Sequence, residues 1–302
     1  MRIGIGLPNP MLDVPGPLLL AWARRAQERE FSSLATIDRV AYPSYDSLTA
    51  LTAAAAVTDR IGLLTNVLLE PAYNPVLLAK VTASIDQISG GRLTLGLGVG
   101  GRPDDFQLTE RAFTDRGKRL DADLELLHQA WAGEPVAGSP FPVGPVITRG
   151  RILLLIGGQP ELAAPRAARW QAGFTIGGAP PEMAGGAIQA FKAAWQRAGG
   201  DGTPRIVVLS YFSLGEEHTE ESLRNLRTYY GFLGDWAEAI ATGAARTPQA
   251  VRELAAAFEE LGVDELVFDP TVANLDQVDR LADAVGAGAP QAGAAGAPQA
   301  GA

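Results

Sequence analysis

The chain is predicted to fold as an α/β protein, a (β/α)8 TIM barrel over residues 1–285, with an insertion between the fourth helix and the fifth strand. Three observations predict it. Short apolar runs alternate with stretches of helical period along most of the 302 residues, and that alternation builds βα units on a parallel sheet. Eight such runs precede residue 285, which suits a barrel of typically ~250 residues with some surplus. The surplus is local: Gly133 to Gly150 is rich in proline and glycine, and Thr219 to Leu261 holds two helices where one would suffice.

In order, the predicted strands are Ile3–Leu7, Ser33–Ile37, Gly62–Val67, Arg92–Gly98, Ile152–Ile156, Phe174–Ile176, Arg205–Phe212 and Glu265–Phe268. The best-defined unit runs from Asn74 to Gly101. Asn74 suits an N-cap, with Pro75 at the first helical position. Leu77, Leu78, Val81, Ile85 and Ile88 then share one helical face, and Ser89-Gly90-Gly91 ends the helix where a left-handed residue is wanted. The following strand alternates strictly. Leu93, Leu95, Leu97 and Val99 point one way, while Thr94, Gly96, Gly98 and Gly100 leave the other side nearly bare, so that something large can approach the backbone.

Later helices show the same kind of face. Leu120, Leu124, Leu127 and Trp131 make one; Leu223, Leu226, Tyr230, Leu233, Ala237 and Ile240 make another, which places Tyr230 in the core. Val251, Leu254, Phe258 and Leu261 make a third, starting at Thr247-Pro248. From Gly286 to Ala302 only Gly, Ala, Pro and Gln occur, a composition that cannot offset the entropy of ordering, so this tail is expected to be disordered.

Composition narrows the function classes. A net charge of −9 argues against a nucleic-acid or anionic-membrane partner, either of which needs a basic surface. With no cysteine and two histidines, His128 and His218, sulfur chemistry is excluded and metal chemistry finds no ligand cluster. No signal peptide or membrane-length apolar run is visible, so a cytoplasmic location is expected. No G-x-S-x-G elbow is present.

In a barrel the chemistry belongs at the C-terminal ends of the strands. Asp38 and Arg39 follow strand two there, Asn66 to Glu70 strand three, Gly98 to Asp105 strand four, Gly157 to Gln159 strand five and Asp269 to Thr271 strand eight. Gly157-Gly158-Gln159-Pro160 offers backbone N–H groups and a helix start to an anion, or else simply makes a tight turn. Gly96 to Gly101 formally matches G-x-G-x-x-G, but Arg102-Pro103-Asp104-Asp105 intervenes before the next helical pattern near Phe113. The dinucleotide reading is therefore rejected; the glycines either give clearance for a flat ring system or serve close strand packing inside the barrel. Tyrosines near strand ends, Tyr42, Tyr73, Tyr211 and Tyr229 among them, are candidates to line an apolar pocket.

The run NPVLLAKVTASIDQISGGRLTLGLGVG resembles the most recurrent stretch of the luciferase-like monooxygenase family, whose members use FMN or the deazaflavin F420. RIGIGLPNP, AQEREFSSLATIDR, TDRGKRLDADLELLHQAW and ILLLIGGQPELAAPRAARWQAGF resemble its flanking segments in the right order. The likeness is strong to about residue 178 and looser over 204–285. It implies a flavin- or F420-dependent oxidoreductase acting on a small organic substrate by hydride transfer or flavin-mediated oxygenation. It also implies a homodimer and, for an FMN monooxygenase, a separate flavin reductase (an F420 reductase in the other case).

The resemblance puts the cofactor phosphate at Gly157, Gly158 and Gln159, and the ring beside Asp38, Asn66, Val67, Gly98 and Gly100. In F420-binding relatives it further implies a bulge with a non-prolyl cis peptide near Asn66. One departure stands out: many relatives carry Asp-His where this chain has Asp38-Arg39. A guanidinium stays charged and cannot act as acid or base, so Arg39 is expected to stabilise an anionic ring or substrate, unless it only makes a surface ion pair. Asp105 is expected to shuttle protons or bind substrate, unless it is solvated loop charge. The alternative function is a degenerate member that binds flavin or another phosphorylated ligand without turnover.

Overall fold

The computed structural model describes residues 1–286; of the predicted tail, everything beyond Gly286 lies outside the described residues. Eight parallel strands close into a barrel in sequence order. They are β1 (Arg2–Gly6), β2 (Ser33–Thr36), β3 (Gly62–Leu69), β4 (Leu93–Gly98), β5 (Leu153–Gly157), β6 (Gly173–Gly177), β7 (Ile206–Phe212) and β8 (Glu265–Pro270), and β8 pairs back onto β1. Every predicted strand is present, with ends displaced by one or two residues at most.

The helices are α1 (Gly16–Glu28), α2 (Ser47–Val57), α3 (Pro75–Ser89), α4 (Pro103–Leu108), α5 (Arg116–Trp131), α6 (Pro160–Trp170), α7 (Pro181–Arg197), α8 (Thr219–Tyr230), α9 (Asp235–Gly243), α10 (Pro248–Glu260) and α11 (Asp276–Val285). None among the described residues is long and apolar enough to cross a membrane. Local signals held where they rest on neighbours in sequence. The Asn74 side chain accepts from Val76 N and Leu77 N, Gly90 caps α3 in the left-handed region, and Thr247 caps α10 through Ala250 N.

Three expectations need correction. Leu77, Val81 and Ile88 are exposed, while Leu78, Ala79, Thr82, Ala83 and Ile85 are buried. The helix seats its small-residue side on the barrel, where close approach is possible, and turns three of the five predicted stripe residues outward. The stretch between residues 219 and 261 holds three α-helices, because the single predicted helix is broken after Tyr230 by a 3-10 turn and Gly234. A short helix, α4, also starts at Pro103 directly after β4, ahead of the expected helical start near Phe113. The insertion is present as predicted, without regular elements between α5 and β5. It is tied to α3 by Thr148 N donating to Asp86 Oδ2 (2.6 Å).

Strand side chains alternate between two cores. Leu93, Leu95 and Leu97 of β4 face outward into the main core under the helices. Inside the barrel, Ala35, Leu64, Leu155, Val207 and Val267 form one apolar layer. Toward the C-terminal end, β3 departs from regularity: its register on β4 shifts between Thr65 and Leu68, and the Asn66–Val67 peptide is cis, as the resemblance implied. The bare face of β4 accommodates that bulge. A Cβ on Gly96 would collide with the Thr65 carbonyl, and one on Gly98 would come 2.7 Å from Val67 Cγ2.

Candidate functional site

The C-terminal mouth holds a cleft of about 220 Å³. Asp38, just past β2, reaches it as a buried carboxylate. Its Oδ2 accepts from Leu69 N (2.9 Å), and both oxygens lie 3.0 Å from the donating Tyr73 hydroxyl. Burial is the larger influence and raises the carboxyl to about 6, against the pull of those two donors. The β3 bulge presents Asn66 and Val67. The Asn66 Oδ1 accepts from Thr175 Oγ1 of β6 (2.6 Å), which leaves its Nδ2 buried and without a partner. Gly157, next to Val67 and Thr175, and Gly158 and Gly177 also line the cleft, and α6 begins just beyond, at Pro160.

Tyr211 of β7 and Tyr229 and Tyr230 of α8 complete the cleft, together with Arg102. The hydroxyls of Tyr211 and Tyr230 hydrogen-bond each other. Tyr230, assigned to the core from its helical stripe, packs against the cluster of Leu209, Tyr211 and Leu226 and also lines the cleft. The helix ends there, and the chain turns back over the mouth.

Of the residues expected at the site, the cleft gathers Asp38, Asn66, Val67, Gly157 and Gly158. The rest are employed otherwise. Gly98 makes room for Val67 and Gly100 lies against Phe106 and Leu69, so protein takes the space expected for a ring. Gln159 sits at the start of α6, its carbonyl accepting from Leu162 N and Ala163 N. Asp105 is fully buried. Its Oδ1 accepts from Val40 N (2.8 Å) and Ala41 N (2.7 Å), and its Oδ2 from Arg102 Nε (2.8 Å). A carboxylate held by three donors and shut from solvent ties the β2 loop to the β4 loop; it is not placed to trade protons with a substrate.

Arg39 likewise has a mechanical task. Its Nη1 donates to the Tyr229 carbonyl (2.9 Å), and its guanidinium lies 4.5 Å from the Tyr42 ring centroid and 5.4 Å from that of Tyr229. Arg102 stacks 5.0 Å from Phe232. Together the two arginines hold the end of α8 over the mouth through charge-assisted and cation–π contacts. Arg102 and Thr175 were not foreseen, and Tyr73, expected to line a pocket, instead donates to Asp38. Arg102-Pro103, an extended residue before a helix-starting proline, was a readable sign of α4, whereas nothing in the short run Phe174-Thr175-Ile176 marks Thr175.

The pattern of the luciferase-like monooxygenases matches residues 15–291. An uncharacterised protein of Mycobacterium tuberculosis is 28% identical over 222 residues, 62% of this chain and 75% of that one. The 4-hydroxyprotoasukamycin monooxygenase of Streptomyces nodosus subsp. asukaensis is 36% identical over 84 residues, 28% of this chain and 23% of that enzyme. Among solved structures, monooxygenase RslO1 from Streptomyces bottropensis superposes with a TM-score of 0.75 at 24% identity, over 95% of this chain and 97% of that one. An F420-dependent secondary alcohol dehydrogenase in complex with an F420–acetone adduct gives 0.73 at 17% identity, over 95% and 98%. These likenesses show a shared fold. With the pattern match spanning nearly the whole barrel, the chain belongs to the luciferase-like monooxygenase family.

Proposed function

We propose that this chain is an oxidoreductase that holds FMN or F420 in the mouth cleft and acts on a small organic substrate. The observation that carries this reading is Asn66 Nδ2, a buried amide donor with no partner, beside a cleft walled by glycines. Such a donor is costly unless a ligand supplies the acceptor, and the carbonyl- and nitrogen-edged rings of both cofactors carry acceptors. When bound, the cofactor supplies hydride transfer and, in the FMN case, oxygen activation.

The chain's own residues bind, orient and shield. Gly157, Gly158 and the start of α6 offer N–H groups to a phosphate, and Asn66 and Val67 support the ring. Asp38, titrating at about 6, holds or releases a proton at the cleft, a task that the arginine at 39 cannot perform. Arg39, Arg102 and Asp105 keep α8 and its tyrosines over the mouth and so exclude water. A homodimer, a separate reductase for the FMN case and a cytoplasmic location complete the proposal.

The test is titration of the apo protein with FMN and, separately, with F420, followed by cofactor fluorescence. Gly177→Glu is the control: no atom lies within 4 Å of a Cβ built there and its φ is not positive, so the variant folds while placing a carboxylate in the cleft. Binding of one cofactor by the parent, weakened at least tenfold (about 1.4 kcal/mol) by Gly177→Glu, supports the reading. Binding of neither, or equal binding by both proteins, overturns it. Binding without turnover of any substrate would identify the degenerate member instead.

A further inference from the structure

Near the C-terminal end of β8, Asp269 is buried, and neither of its carboxylate oxygens has a hydrogen-bond partner. The carboxyl lies against Gly6, where any Cβ would collide with it; β1 and β8 are paired as far as Ile5 and Phe268. Asp269 lines a cavity of about 130 Å³ together with Met11, Tyr42, Tyr211, Tyr229 and Tyr230. The last three also line the cofactor cleft. Two cavities thus share a tyrosine wall, and the second contains an acid whose hydrogen-bonding capacity nothing in the protein uses.

Both oxygens are buried with no cation or donor against them, and burial pushes the carboxyl well above the ordinary carboxylate range; that favours the protonated form, an O–H donor beside a C=O acceptor. A cation is poorly matched here. Arg224 lines the same cavity, and Arg39 and Arg102 already lie over the rings of Tyr42 and Tyr229. An anion could pair with Arg224 but would leave the buried Asp269 carboxyl unused and repel it on ionisation. A neutral oxygen acceptor on an apolar body fits both the aromatic lining and the unused donor.

We propose that this cavity is a second ligand subsite, in which Asp269 donates a hydrogen bond to the carbonyl oxygen of a neutral, otherwise apolar, ring-sized molecule beside the cofactor cleft. As the substrate class of the reaction it rests on the oxidoreductase reading; as a binding site it does not.

The experiment measures binding of three probes of nearly one shape to the apo protein by calorimetry: acetophenone, ethylbenzene and protonated 1-phenylethylamine. Acetophenone is expected to bind at least tenfold more tightly than either of the others. Asp269→Leu, which replaces two unpartnered oxygens by methyls, is expected to fold and to abolish that preference, and Asp269→Asn, which keeps a donor, to retain most of it. Failure of acetophenone to bind, or equal affinity for acetophenone and ethylbenzene, overturns the inference, as does a preference unchanged in Asp269→Leu. The FMN and F420 titrations keep the two readings apart. Cofactor binding without carbonyl preference sinks this inference alone; carbonyl preference without cofactor binding sinks only the oxidoreductase reading.

Discussion

Glu265 and Asp269 stand four residues apart on the same face of β8, both 1% exposed, at opposite ends of the barrel. Their surroundings have nothing in common. Glu265 accepts from Ser32 Oγ (2.5 Å) and Ser33 Oγ (2.7 Å), and pairs with Arg205 and with Arg2 at 3.2 Å. Burial pushes its carboxyl up, yet Ser32, Arg205, Arg2 and Ser33 together hold it below the ordinary value. Asp269 has no partner and is driven the other way. At the N-terminal end the buried carboxylate is satisfied within the chain, although Arg205 Nε beside it has no partner. The C-terminal end keeps Asn66 Nδ2 and both Asp269 oxygens in reserve. A polar group left unpaired at a folding cost is what a binding site looks like before its ligand arrives.

The comparison breaks most visibly in stability. Glu265→Leu strands Arg205 and the two serines, and chemical denaturation is expected to show a loss of about 3–5 kcal/mol; Asp269→Leu, removing nothing that is paired, is expected to be neutral or stabilising. Equal losses would erase the distinction between the two ends.

Glu70, just beyond β3, is a second unsatisfied carboxyl near the mouth. It is fully buried with neither oxygen partnered. Burial foremost, and then Asp123, raise it to about 9 against Arg111 and Arg119. Because the folded state holds this proton more tightly than the unfolded chain, its contribution is fully present below about 4.3, the unfolded value for glutamate. That contribution is lost as pH rises toward about 9. The parent should therefore melt lower at pH 9 than at pH 5, and Glu70→Gln should narrow that gap by remaining neutral; parallel melting curves for the two proteins at both pH values would contradict this.

Smaller effects sharpen the contrast within the mouth itself. Arg39→Met removes one charge-assisted hydrogen bond and the stacking on Tyr42 and Tyr229, an expected loss of about 1–3 kcal/mol. Hydrogen exchange should speed up in α8 and α9 and not in the strands; uniform acceleration would deny Arg39 its task of holding α8. Smallest in energy is Asp38→Asn. Cofactor affinity of the parent should change with pH around 6, where Asp38 titrates, and that inflection should be missing from the variant. An inflection that survives the substitution belongs to another group.

Much of this is legible in the sequence. The eight strands follow from alternation, because a two-residue period and a turn are decided within a few residues. The caps at Asn74 and Thr247 are as local, and the resemblance placed Asp38, Asn66, Val67 and the Gly157-Gly158 pair at one mouth, where the cleft gathers them. What failed had a common cause. Three of the five apolar stripe residues of α3 face outward because the barrel, not the stripe, selects the packed side. Arg39 and Asp105 read as chemistry because charged types at strand ends do so, and what the sequence could not show is how they are held: their partners, Tyr229 and the Val40 and Ala41 amides, lie 190 and about 65 residues away in sequence.

The sequence by itself determined the order and number of the strands and the closed barrel they make, since local periodicity and chain direction suffice for both. The tertiary structure alone decided which charged groups are used up and which are left free. It did so by closing β8 onto β1, so that Asp269 rests against Gly6 away from every partner while Glu265 meets four. Satisfaction of a buried polar group depends on what folding brings within about 3 Å of it, and no pattern along the chain encodes that.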